Sequence, residues 1–145
     1  MTSKNIFLVE DNKDDQFFFE EAIDKIENAV LLGMAVDGEK ALLALRNSPV
    51  LPDIIFMDIN MPRMNGIECL MHLANDRQLR HLPVVMLTSS TGELELARSL
   101  GAKAFIKKIA NQNLMCTRLA EMINLDFTVN ADAAARTFQT AMVSF

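Results

Sequence analysis

The chain has neither tryptophan nor tyrosine, and among its 145 residues are only two cysteines, five glycines and four prolines. Without the larger aromatics, and with Glu10 to Asp15 where a glycine- or hydroxyl-rich phosphate loop would stand, it is poorly suited to carry a flavin. Cys69 and Cys116 lie far apart, with no paired spacing and no partner histidines, which fits a reduced cytoplasmic protein rather than a disulfide or zinc framework. His72 and His81 lack metal-ligand spacing, and no role is assigned to them. Basic residues are outnumbered 14 to 19, the net charge is -5, and no basic cluster exists beyond Lys107 and Lys108. Neither nucleic acid nor an anionic membrane is therefore an expected partner. The longest nearly apolar stretch, 29–36, falls far short of the ~20 residues that a membrane helix needs. The length suits one domain.

What is present is an alternation of solid apolar runs with helical stripes. Ile54 to Met57 is such a run, the pattern of a strand buried on both faces, and Asp58 follows it at once. Asn60, Pro62, Asn65 and Gly66 then form a loop, with Asn65 and Glu68 spaced as a capping box for a helix over 66–74. Ile6 to Val9 is a second run, ending in Glu10, Asp11 and Asn12, before a helical stripe over 14–26 that includes Phe18, Phe19, Ala22 and Ile23. Of the three consecutive phenylalanines, Phe17 is expected to be exposed. A strand over 31–36 and a helix capped by Asp37 come next. Pro83 to Leu87 leads to the hydroxyls Thr88 to Thr91, with Ser90 and Glu93 spaced as a box for a helix of about eight residues. Gly101 stops that helix, Ala104 to Lys107 is the fifth strand, and Asn111 caps a helix with Leu114, Leu119, Met122 and Ile123 on its inner face. Five strands alternating with five helices imply right-handed crossovers and a parallel sheet covered on both faces.

The carboxyl ends of such strands gather Glu10, Asp11, Asp58, Thr88 and a lysine from Lys107 and Lys108 at one edge, where open α/β sheets place their ligands. Crowded carboxylates repel unless a cation or a proton neutralises them, and oxygen-only ligands suit Mg²⁺. A phosphoryl group on Asp58, its oxygens facing the metal, the Thr88 hydroxyl and a lysine, completes the chemistry.

Over 4–125 the residues resemble the receiver domain of two-component response regulators. The resemblance is carried by VEDN at 9–12, MDINMPRMNG at 57–66, TSS at 88–90 and GAKAFIKK at 101–108. It implies a flavodoxin-like, doubly wound five-stranded sheet of order 2-1-3-4-5, with Asp58 as the acceptor of phosphate from a histidine kinase. It further implies that Asp11, Asp58 and the backbone carbonyl of Asn60 bind Mg²⁺ directly and Glu10 through water. Lys108 rather than Lys107 is the phosphate-contacting lysine by the same alignment, and Thr88 with Phe105 is the switch pair. VEDN, TSS and the lack of an output domain are most similar to stand-alone receivers that serve bacterial phytochromes. Such a protein is a phosphoacceptor that takes part in its own phosphorylation and dephosphorylation, not an enzyme.

The sequence departs from the family at two places. Ile109 stands where a proline normally follows the lysine, which leaves the placement of Lys108 open, and the interval from Thr88 to Lys108 is about two residues short, the loss falling in the fourth helix. A receiver that no longer takes phosphate and acts as a binding module is therefore an alternative. An aspartyl-nucleophile phosphohydrolase is a weaker one, because Asn60 occupies the place of its second acid. The extension, 126–145, carries Ala131, Ala134, Phe138, Met142 and Phe145 at helical spacing after a possible cap, Asn130. This stripe reads as an extra helix that packs on the receiver or joins two copies in a homodimer.

Overall fold

The computed structural model describes residues 3–89, 92–125 and 127. In chain order its elements are β1 (Lys4–Val9), α1 (Lys13–Asp24), β2 (Ala29–Ala35), α2 (Gly38–Asn47), β3 (Ile54–Asp58), α3 (Gly66–Ala74), β4 (Val84–Thr88), α4 (Leu94–Ser99), β5 (Ala104–Lys107) and α5 (Gln112–Ile123). The strands form one sheet of order β2-β1-β3-β4-β5, each neighbouring pair parallel. This is the flavodoxin-like topology that the alternation and the resemblance imply, with the chain reversing direction of growth between β1 and β3.

The solid apolar runs mark the inner strands. Every residue of β3 and β4 is buried, as is β1 from Ile6 onward, because α1 packs with α5 while α2, α3 and α4 pack in sequence on one another. Phe56, as large as any fully buried side chain among the described residues, sits against the ring of Phe19 at 5.3 Å between centroids. The edge strand differs. β2 begins at Ala29, two residues before the expected start, and its burial alternates, with Val30, Leu32 and Met34 open to solvent. At the other edge β5 keeps Ala104, Phe105 and Ile106 buried, so the open face of β2 does not follow from an edge position alone.

Short polar side chains start four of the five helices. Asn12, Asp37, Asn65 and Asn111 each accept the backbone N–H three residues on, and Asn65 with Glu68 forms the expected reciprocal box. The fourth helix corrects the sequence reading. Glu93 is its N-cap residue rather than its third, the Glu93 side chain makes no cap hydrogen bond, and the helix runs for six residues instead of about eight, with Gly101 (φ 108°) ending it. Ser90, the expected cap, lies outside the described residues, as does the stripe of 130–145. Two apolar assignments also change. Phe18 is 51% and Leu114 42% exposed, so the inward faces of α1 and α5 are carried by Phe19, Ala22 and Ile23 and by Leu119, Met122 and Ile123. Phe17 is exposed as expected, its ring meeting that of Phe18 edge-on. No helix among the described residues is long and apolar enough to cross a membrane.

Candidate functional site

Asp58 is the last residue of β3, paired with Leu87 of β4, and is almost wholly buried. The strand delivers its carboxylate to the sheet edge, and the following loop folds straight back over it. Gly66 N–H donates to Ile59 O at 2.8 Å, and a Cβ at Gly66 would lie 2.2 Å from the carbonyl oxygen of Asp58. Only glycine permits that return. Within the loop, Arg63 adopts φ 62° and its guanidinium meets the buried Asp37 carboxylate at 3.1 Å, tying the loop to the start of α2.

Glu10 and Asp11 arrive from the end of β1. Ligand oxygens of Glu10, Asp11 and Asp58 all lie within 4.8 Å of one another, with Glu10 and Asp58 buried and Asp11 exposed. The Asn12 N–H donates to Glu10 Oε2 at 3.1 Å, while Glu10 Oε1 is buried without an aligned hydrogen bond. It forms an ion pair at 2.6 Å with the ammonium of Lys108. The same ammonium stands 2.9 Å from Asp15 Oδ2 and 3.4 Å from Asp58 Oδ2. Lys108 is held to the sheet by its own N–H, which donates to Thr88 O at 2.8 Å, and no peptide bond among the described residues is cis. With Ile109 after it, the lysine therefore still reaches the acids.

These charges hold one another away from their ordinary pKa values. Burial pushes Glu10 up to about 7, opposed by the Lys108 bond and assisted by the charge of Asp58. Burial likewise raises Asp58, with Lys108 pulling it back. Burial works against the charge of Lys108, but its bonds to Glu10 and Asp15 and the charge of Asp58 outweigh that and raise its pKa. An all-oxygen donor set of three carboxylates within 4.8 Å of one another suits a hard divalent cation of the Mg²⁺ type. Glu10, Asp11 and Asp58 would hold it.

The other expected residues fall nearby. Asn60 donates a long backbone hydrogen bond, 3.4 Å, to Asp58 Oδ1. Thr88 closes β4 and is fully buried, and Phe105 in β5 is fully buried as well, its ring already inside the core. The contacts to Glu10, Asp15 and Asp58 come from Lys108, while Lys107 stands opposite Thr88 in the register of β5 with β4. Asp15 escapes a reading of the sequence because it looks like an ordinary first-turn acid. Its backbone N–H donates to the cap Asn12 at 3.0 Å, as that of the third residue of any such capped helix does, and nothing local marks its side chain as a partner of Lys108. Beneath the Asp15 and Lys108 pair is a cavity of about 360 Å³ between α1 and α5, lined by Leu8, Phe18, Leu87, Ile109 and Met115 among others.

The response regulator receiver domain matches residues 6–120. The transcriptional regulatory protein CpxR of Klebsiella pneumoniae subsp. pneumoniae is 34% identical over 120 residues, 81% of this chain, which spans about half (48%) of that relative. The polar-differentiation response regulator DivK of Brucella ovis is 32% identical over 108 residues, covering 73% of this chain and 85% of DivK. Among solved structures, the phosphorylated cyanobacterial phytochrome response regulator RcpA superposes with a TM-score of 0.74 at 30% identity, over 83% of this chain and 91% of RcpA. The chain belongs to the response regulator receiver domain family and is a response regulator of two-component signalling.

Proposed function

We propose that Asp58 accepts a phosphoryl group from a histidine kinase, in a site that Mg²⁺ completes through Glu10, Asp11, Asp58 and the backbone carbonyl of Asn60. The observation that carries this reading is the Lys108 ammonium 3.4 Å from Asp58 Oδ2, beside two further carboxylates within 4.8 Å. A carboxylate alone on a sheet edge is a poor nucleophile toward an anionic phosphoryl group. One with a lysine at its side can attack while that lysine offsets charge on the phosphoryl oxygens. The Asp58 Oδ–P bond forms as the donor's P–N bond breaks, the leaving nitrogen keeping the electron pair and taking up a proton. Mg²⁺, when bound, supplies electrostatic stabilisation of charge on the phosphoryl oxygens. The Thr88 hydroxyl, moving toward the new dianion ahead of Phe105, is the proposed relay to partners.

The non-phosphorylatable alternative rests on Ile109, and the reach of Lys108 favours the phosphoacceptor reading over it. On this reading the protein is a phosphoacceptor and not an enzyme with a separate substrate, and it works in the cytoplasm, where a histidine kinase presents its phosphorylated domain. The likeness to RcpA supports a phytochrome as that kinase. The stripe of 131–145, read as packing on the receiver or joining two copies, lies outside the described residues, and of the two the homodimer belongs to this proposal.

Incubation with phosphoramidate and Mg²⁺ should add one phosphoryl mass to the intact protein. The addition should vanish in Asp58→Asn and when Mg²⁺ is chelated. An equal mass addition in Asp58→Asn would overturn the assignment.

A further inference from the structure

Lys108 carries a four-carbon side chain whose many rotamers must be narrowed before its ammonium can serve Asp58. Three carboxylates hold it here. Two of them, Glu10 and Asp58, belong to the set that would face a metal, so their attraction for Lys108 weakens when a divalent cation neutralises them. The third, Asp15, lies outside that set and donates nothing to it. Its Oδ2 accepts from the Lys108 ammonium at 2.9 Å, and its own backbone N–H is fixed by Asn12, so its carboxylate is anchored to the start of α1. The Asp15 side chain is 40% exposed and that of Lys108 21%, which leaves the pair partly shielded from solvent.

We propose that Asp15 is the positioning residue for Lys108, holding the ammonium beside Asp58 from the α1 side when the metal has claimed the other acids. This inference rests on Asp58 being the phosphoacceptor.

The test is a double-mutant cycle read by the rate of phosphorylation with phosphoramidate and Mg²⁺. Asp15→Ala should slow phosphorylation about tenfold, the rate equivalent of one charge-assisted hydrogen bond that is partly exposed. Mg²⁺ affinity, measured by calorimetry, should stay within about twofold. In a Lys108→Ala background the added Asp15→Ala change should be silent, because the residue acts through the lysine. Asp15→Asn, which keeps the side chain's size and removes its charge, should show most of the loss and carries the test if the alanine variant does not fold.

A wild-type rate in Asp15→Ala and Asp15→Asn overturns the inference. So does an equal slowing with and without Lys108, or a fall in Mg²⁺ affinity that matches the fall in rate. Wild-type protein that takes no phosphoryl group would overturn the phosphoacceptor reading and the inference with it.

Discussion

Gly66 leaves no room for a side chain, and the atoms in the way are backbone. A Cβ there would stand 2.2 Å from Asp58 O and 2.8 Å from Ile59 Cα, so no rotamer change relieves the clash. Gly66→Ala should therefore displace the end of β3 and cost about 2 kcal/mol or more in urea unfolding, with phosphorylation of Asp58 lost alongside. Wild-type stability in that variant would mean that the loop can open without disturbing the strand. The contrast with Asp58 and Asp15 shows which single residues are legible. Asp58 stands out because it ends an apolar run, a pattern visible within five positions. Asp15 acquires its role from a lysine 93 positions away, and no local pattern records that distance.

Elements follow the same division. β1, β3, β4 and the four helices with Asx caps could be placed from sequence because each is decided by neighbours in the chain: an unbroken apolar run, or a short polar side chain three residues before the N–H it accepts. The start of α4 could not, since its cap residue makes no side-chain bond, and the outward turn of Phe18 and Leu114 depends on how α1 and α5 settle on the sheet. α2 shows how an element can serve a site that it does not enter. Its cap, Asp37, accepts the Lys40 N–H at 2.9 Å and pairs with Arg63 of the loop after Asp58, while the Gly38 N–H donates to Met64 O at 3.2 Å. Asp37→Ala removes both the cap and the ion pair and should destabilise by about 1 to 3 kcal/mol. Asp37→Asn keeps an acceptor for Lys40 and should recover the cap's share, about 1 kcal/mol. Equal losses in the two variants, measured by urea unfolding, would put the whole effect on the Arg63 pair.

For the whole molecule, gathering acids at one sheet edge means that metal-free folding is opposed by the site it builds. Glu10, pushed up to about 7, and Asp58, also raised, both bind protons more tightly folded than unfolded. The contribution of Glu10 to stability is fully present below the ordinary carboxylate range and is lost as the pH rises through about 7, and that of Asp58 is lost in the same direction. Asp37 and Asp76 run the other way. Hydrogen bonding, from the Lys40 N–H and the Arg46 side chain respectively, lowers both, so their contribution is present above about 4 and is lost as the pH falls. In chelator, the melting temperature should therefore decline from about pH 5 to pH 8. Glu10→Gln should flatten that decline and raise metal-free stability near neutrality, since it removes a buried charge that Lys108 only partly compensates. Mg²⁺ at about 100 times its dissociation constant should return about 2.7 kcal/mol to the wild type, most fully at the upper end of the range, where the carboxylates are already ionised. Glu10→Gln should gain less from the metal. Circular dichroism melts across this pH series, with and without Mg²⁺, decide the matter. A metal-free melting temperature that stays level or climbs from pH 5 to pH 8 would show that the acid pocket carries no such cost, and that Lys108 alone neutralises the carboxylates the fold has brought together.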